Sequence, residues 1–321
     1  MQARRSQLVL GIDPDPLALW PSPAQGGGRV QADATEARGA PVAGSDRLAP
    51  VAAAVVSHCR ALIDAAGACC VAVKLQLARF EALGEDGWRA MRAVAAHARA
   101  AGLLVIADGK RADVDVTAAA YARALFDGVQ TPYGRAEGLG ADLVTANPLM
   151  GGDALAPFIE RARGVGGGVL VLVRTSNPGA RDIQDLELRE GGAVWERLAA
   201  LVDELGAGGV GACGLSDVGA VIGATEPAHL RRARELMPRA VFLLPGVGAQ
   251  GGRVGDLTAA FAVGRAGGLI TASRAISDAH LEAGGDPAAA ARAQAQTLRD
   301  AAWSLSAAAR GDPQPEGTAR R

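Results

Sequence analysis

Leu103-Leu-Val-Ile-Ala-Asp108-Gly-Lys110-Arg-Ala-Asp113-Val-Asp-Val-Thr117 runs from an unbroken apolar stretch into a charged turn. Ala-Ala-Ala-Tyr-Ala follows directly, in a helical pattern. An apolar run without polar alternation marks a strand buried on both faces, as a parallel sheet requires. The same unit recurs in both directions along the chain. Strands are predicted at 8–12, 70–74, 103–108, 143–146, 168–173, 218–223, 241–244 and 269–271. Helical patterns lie between or after them at 48–66, 87–101, 117–126, 193–205, 228–237 and 286–307. The sixth strand is the least marked, because glycine crowds residues 206–214 just before it. Strands that alternate with helices at this length predict an α/β fold, a single-domain (β/α)8 TIM barrel over 1–307, rather than a doubly wound sheet.

Two stretches fall outside this pattern. Residues 21–49 are rich in Gly, Ala, Pro and Asp without apolar periodicity, and are expected to form a mobile insertion after strand one. Residues 308–321 are expected to be a disordered tail.

Composition excludes several classes. The 321 residues carry a net charge of −1 and no basic block, so neither a nucleic acid nor an anionic membrane surface is expected as partner. The apolar run after Arg4 and Arg5 is too short for a signal peptide, and no run approaches the roughly 18 residues of a membrane span. Cys59, Cys69, Cys70 and Cys213 lack the spacing of a metal site or a disulfide framework. They are expected to be reduced thiols in a cytoplasmic protein. His58, His97, His229 and His280 stand apart from any carboxylate or serine motif and are expected to serve packing.

Of the 33 basic residues only Lys74 and Lys110 are lysine. A guanidinium keeps its proton at every accessible pH, whereas an ammonium is a compact charge that can release one. Both lysines end apolar runs, where a parallel-strand enzyme keeps its chemistry. Strand alternation sends Asp108 and Lys110 to one side, and a spacing of four puts Asp113 and Thr117 on one helix face. The plain alternative is an ordinary charged turn with Asp113 as a helix cap.

The string Asp108-x-Lys110-x-x-Asp113-Val-x-x-Thr117 resembles the signature of the orotidine 5′-phosphate decarboxylase family, in its longer bacterial (type 2) form. Further segments agree in order: Leu10-Gly-Ile-Asp13, Val73-Lys74 through Phe80-Glu81-Ala-Leu-Gly84, and Thr145-Ala-Asn147-Pro148. Arg174-Thr-Ser176-Asn177-Pro178-Gly179, Pro245-Gly246-Val-Gly248-Ala-Gln250-Gly251-Gly252 and Ser273-Arg274 complete the set. Ala112 and Val114 stand where the family uses glycine and isoleucine, and Leu75 where it uses proline. None of these departures removes a charged group.

The resemblance implies decarboxylation of orotidine 5′-phosphate to UMP in pyrimidine biosynthesis, with no metal and no cofactor. It implies that Lys74, Asp108, Lys110 and Asp113 form an alternating charge network. Lys110 would be the proton donor and Asp108 the group that crowds the substrate carboxylate. Asp13 and Thr117 are implied for ribose hydroxyls and Ser176 for the pyrimidine edge. Gln250, Gly251 and Arg274 are implied for the phosphate. The family pattern also implies a homodimer in which Asp113 and Thr117 reach into the partner's site. Two other functions fit a barrel with these charges: a Mg²⁺-dependent sugar-acid-phosphate decarboxylase, and an inactive nucleotide-binding barrel.

Overall fold

The computed structural model describes residues 1–20, 48–248 and 251–309. The parts of the expected insertion and tail at 21–47 and 310–321 lie outside the described residues. Leu48 and Ala49 already belong to the first helix, and Ala308 ends the last one.

The strands are β1 (Leu8–Ile12), β2 (Ala72–Gln76), β3 (Leu104–Arg111), β4 (Val129–Thr131), β5 (Gly134–Ala136), β6 (Leu143–Ala146), β7 (Gly168–Arg174), β8 (Val218–Ile222), β9 (Phe242–Leu244) and β10 (Gly268–Ala272). Eight of them close a barrel in the order β1-β10-β9-β8-β7-β6-β3-β2, and every neighbouring pair is parallel. The (β/α)8 barrel expected from the alternating pattern is therefore the fold. The helices around it are α1 (Leu48–Ala66), α2 (Leu77–Glu81), α3 (Gly84–Ala100), α4 (Asp115–Leu125), α5 (Gly152–Val165), α6 (Val194–Gly206), α7 (Pro227–Leu236), α8 (Arg274–Ser277), α9 (Ala279–Ala283) and α10 (Pro287–Ala308).

Strand alternation divides the core in two. On β1, Leu8 and Leu10 face outward into the large core shared with the helices, while Val9 faces inward. Val9, Ala72, Ile106, Leu170, Val221, Leu243 and Leu269 fill the barrel's interior as a separate apolar plug. Polar side chains placed above this plug on the same inward faces stand at the barrel's C-terminal mouth.

Three elements depart from the sequence expectation. Helix α5 is not predicted by the pattern, because Gly151, Gly152 and the internal Pro157 are breaker signals that packing overrides. The antiparallel β4–β5 hairpin has only three residues per strand and lies largely exposed, so it leaves no apolar signature. After β9, a 3-10 stretch at Val254–Phe261 stands in for the usual helix.

Residues 49–69 are apolar and long enough to cross a membrane by length and composition alone. Half of that window is buried, and α1 packs against α3 and α10. It behaves as a core helix of the outer ring. The histidines are less isolated than the sequence suggests: His97 pairs with Asp64 at 2.7 Å, and His58 accepts a hydrogen bond from the Trp20 amide at 3.0 Å. Burial lowers the His58 pKa to about 4, which keeps the ring neutral for that role.

Candidate active site

At the C-terminal mouth a cavity of about 410 Å³ is lined by Asp13, Lys74, Asp108, Lys110, Ser176 and Arg274, among others. Six residues singled out in the sequence thus meet in one place, Lys74, Asp108 and Lys110 on β2 and β3, Asp13 and Ser176 just past β1 and β7, and Arg274 at the start of α8.

Asp108 is the hub. It is 4% exposed, and its Oδ2 accepts from Lys74 Nζ at 2.7 Å while its Oδ1 accepts from Lys110 Nζ at 2.6 Å. Burial alone would raise the Asp108 carboxyl, but Lys74 and Lys110 outweigh it and hold the pKa at about 2. Burial likewise opposes a charged Lys74, and Asp108 together with Asp13 raises its pKa above the ordinary value. Asp13 Oδ1 stands 3.7 Å from Lys74 Nζ, an ion-pair distance too long for a hydrogen bond. Lys74 and Asp108 therefore both keep their charges at neutral pH.

Lys110 is unusual in its backbone. Its φ of 48° lies in the left-handed region, which costs a non-glycine residue roughly 1–2 kcal/mol. Such a conformation persists only where the surroundings dictate it. One support is visible directly: the Lys110 amide donates to Thr145 Oγ1 at 2.9 Å, and that hydroxyl donates to Asp108 Oδ1 at 2.9 Å. The β3–β6 register shifts between Ala107 and Arg111, at the same place.

The sequence pattern alone assigns no role to Thr145. Gln76, which accepts from Lys74 Nζ at 3.3 Å, and Thr271 on the cavity wall were also missed. The hydroxyl of Thr271 is buried and has no hydrogen-bond partner among the described residues. A signal existed for both threonines. Each is the polar residue of an otherwise apolar strand end, Leu-Val-Thr-Ala or Leu-Ile-Thr-Ala, placed at an inward position.

One part of the cavity wall is built by the loops after β9 and β10. Gly246 and Gly248 adopt φ of 104° and 78°, which only glycine reaches without strain. The Gly248 amide donates to Gly252 O, and the Gly252 amide to Gly246 O, closing the loop tightly. Gly251 lies in this loop but not on the cavity wall, and Gln250 lies outside the described residues. Arg274 lines the cavity and pairs with no carboxylate among the described residues. By contrast Arg174, from the same motif as Ser176, turns away from the cavity and makes two bonds to Asp185 at 2.8 and 2.9 Å. It braces the loop that carries Ser176.

Asp113 and Thr117 do not reach this cavity within their own chain. The expected shared helix face is corrected by the structure, because α4 begins only at Asp115 and Asp113 precedes it. The cap alternative fails as well. Val114 is the N-cap residue, with no side-chain cap, and Asp113 Oδ1 accepts from the adjacent Val114 amide at 2.8 Å. Within one chain the charge network consists of Asp13, Lys74, Asp108 and Lys110, and Asp113 is not in contact with it.

Comparison with known proteins places the chain in a family. Residues 6–294 match the orotidine 5′-phosphate decarboxylase / HUMPS family. The chain belongs to this family. It is 43% identical over 241 residues to the orotidine 5′-phosphate decarboxylase of Deinococcus radiodurans, covering 74% of this chain and 81% of the relative. The Roseiflexus sp. protein of the same name is 35% identical over 303 residues, 92% of each chain. Among solved structures, Leishmania donovani OMP decarboxylase superposes with a TM-score of 0.66 at 29% identity, covering 94% of this chain and 96% of that one. The family membership spans the whole barrel, including every strand that contributes to the cavity.

Proposed function

We propose that this protein is an orotidine 5′-phosphate decarboxylase, a carboxy-lyase of pyrimidine biosynthesis that works in the cytosol. The observation that carries the reading is the Lys74–Asp108–Lys110 chain, with Lys74 and Asp108 buried and Lys110 open to the cavity, whose wall also holds Arg274, which pairs with no carboxylate among the described residues.

The reaction breaks the bond between C6 of the pyrimidine and its carboxylate. The bonding electrons stay on C6 and CO2 departs. No carbonyl is placed to delocalise that carbanion, so charges fixed in advance must stabilise it. Lys110 supplies a cation there, gives its Nζ proton to C6 to form UMP, and regains a proton from water. Asp108, kept ionised by its two lysines, meets the substrate carboxylate with like charge and orients Lys110. Lys74 holds Asp108, and Asp13 meets the ribose hydroxyls. Ser176 takes the pyrimidine edge. Arg274, with Gln250 and the loop around Gly251, grips the phosphate, and that remote binding energy serves the transition state. Asp113 and Thr117, which stand outside their own cavity beside the exposed Val114 and Val116, complete the site of a second copy in a homodimer.

Loss of substrate absorbance with orotidine 5′-phosphate in excess EDTA is the direct test. Wild-type turnover should persist, and Lys110→Arg should lose almost all of it while still binding UMP. Turnover abolished by EDTA would favour the Mg²⁺-dependent relative. A Lys110→Arg rate within tenfold of wild type, about 1.4 kcal/mol in barrier, would remove Lys110 as proton donor.

A further inference from the structure

The Phe80-Glu81 end of the second-strand motif has no part in the site as described above. Its position gives it one. Helix α2 follows directly on Gln76 and packs beside the end of β3, which carries Asp108 and Lys110. A side chain at Gly109, between those two residues, would meet Leu77 at 2.8 Å. The glycine therefore lets α2 close onto the strand. At the far end of α2, Glu81 makes an ion pair with the guanidinium of Arg111, the residue after Lys110. Both side chains are about three-quarters buried, at 27% and 25% exposure, so solvent screens the pair only in part.

Arg111 is held from two further directions. Its guanidinium lies 5.4 Å over the ring of Tyr121 on α4, and its carbonyl accepts from the Asn147 amide at 2.9 Å. Lys110 thus sits between a glycine pressed by α2 and an arginine fastened by Glu81. It is also the residue whose backbone is forced to a φ of 48°. In that conformation its Nζ returns to Asp108 Oδ1.

We propose that Glu81 is a positioning residue for the reaction: its ion pair with Arg111 holds the Lys110 backbone in the left-handed conformation that keeps Nζ on Asp108. The inference rests on Lys110 being the proton donor. Without the pair, Arg111 is released on one side and Lys110 relaxes toward an ordinary strand conformation, carrying its ammonium away from the hub. The groups that bind substrate, Asp13, Ser176 and Arg274, stand on other elements and are not disturbed.

The test is steady-state kinetics with orotidine 5′-phosphate on Glu81→Gln, Glu81→Asp and Arg111→Gln, beside Lys110→Ala. Glu81→Gln should lower kcat at least tenfold while KM changes less than threefold and the melting temperature stays close to wild type. Glu81→Asp, which keeps the charge, should recover part of the lost kcat. Arg111→Gln, which also removes the contact with Tyr121, should lower kcat at least as far as Glu81→Gln, and the double variant should be no worse than Arg111→Gln alone, because the ion pair is already lost in it. A kcat for Glu81→Gln within threefold of wild type overturns the proposal. So does a parallel fall of kcat, substrate affinity and melting temperature, which marks a purely structural pair. If Glu81→Gln does not fold, Glu81→Asp decides: a kcat loss at constant KM supports the proposal, and unchanged kcat refutes it. Substantial turnover in Lys110→Ala would instead refute the proton-donor reading itself. An inactive Lys110→Ala beside a fully active Glu81→Gln would refute only the role of Glu81.

Discussion

Asp108 is a carboxylate almost without solvent, kept charged by two ammonium groups and one hydroxyl. Its pKa of about 2 when folded lies below the roughly 3.9 of an unfolded aspartate. The folded state thus binds this proton more weakly, and the cluster's contribution to stability is complete above the unfolded value. It is lost as pH falls through about 2, and amounts to something on the order of 2 kcal/mol. The difference in unfolding free energy between wild type and Asp108→Asn should accordingly stay flat from about pH 8 to about pH 5, then decline between about 4 and 2. Urea titrations across that range would show it. A decline that begins near pH 6 would mean that a different group controls the cluster.

Among the elements, β9 is the shortest barrel strand, and it is followed by a 3-10 stretch rather than a full helix. Arg234 on α7 compensates from below. Its guanidinium donates to the carbonyls of Met237, Ala240, Ala260 and Gly267 at 2.8–3.0 Å and lies 3.8 Å over the Phe242 ring. Burial lowers its pKa to about 10, so it remains charged at neutral pH. Arg234→Met would take the charged donor from all four carbonyls, of which only Met237 O and Gly267 O keep a backbone donor, the amides of Ala240 and Phe242, at a cost of about 3 kcal/mol. The contacts lie at the strand entries, away from the mouth, so KM for orotidine 5′-phosphate should hold while the urea midpoint drops. An unchanged midpoint would show that the staple carries no stability. Nothing in the sequence singles out Arg234 from the other arginines, because its partners are backbone carbonyls contributed by three separate segments. Helix α5 was hidden for a related reason: its local breaker residues are outvoted by packing of Leu155, Phe158 and Ile159 into the core.

For the assembled molecule, the decisive question is where Asp113 and Thr117 act. Exposed Val114 and Val116 beside them, with Leu149 and Met150 also exposed on the loop after β6, leave apolar surface at the same edge of the barrel. In the proposed homodimer, Lys110→Ala and Asp113→Ala are each nearly inactive alone. Unfolded together and refolded, a hybrid carries one doubly defective site and one intact site, so activity should return toward one good site per hybrid dimer. A mixture that forms hybrids yet stays as inactive as its parents would place Asp113 within its own chain.

Buried parallel strands betray themselves as apolar runs, and a barrel's mouth lies at the C-terminal ends of those runs. That pattern was enough for the barrel, for its order of βα units and for placing Lys74, Asp108 and Lys110 at strand ends, whereas Asp13 and Ser176 were legible only through the family resemblance of their motifs. The two lysines in an arginine-rich chain pointed to the cavity wall on which both stand, since their chemistry differs from that of arginine. Tertiary structure decided what depends on contacts between distant segments: Thr145 bridging Lys110 to Asp108, the unpartnered Thr271 hydroxyl, the Glu81–Arg111 pair and the exclusion of Asp113 from its own cavity. Each of these arises where one strand end or loop meets another across the barrel, and local periodicity records which face a residue takes but not which neighbour it finds there.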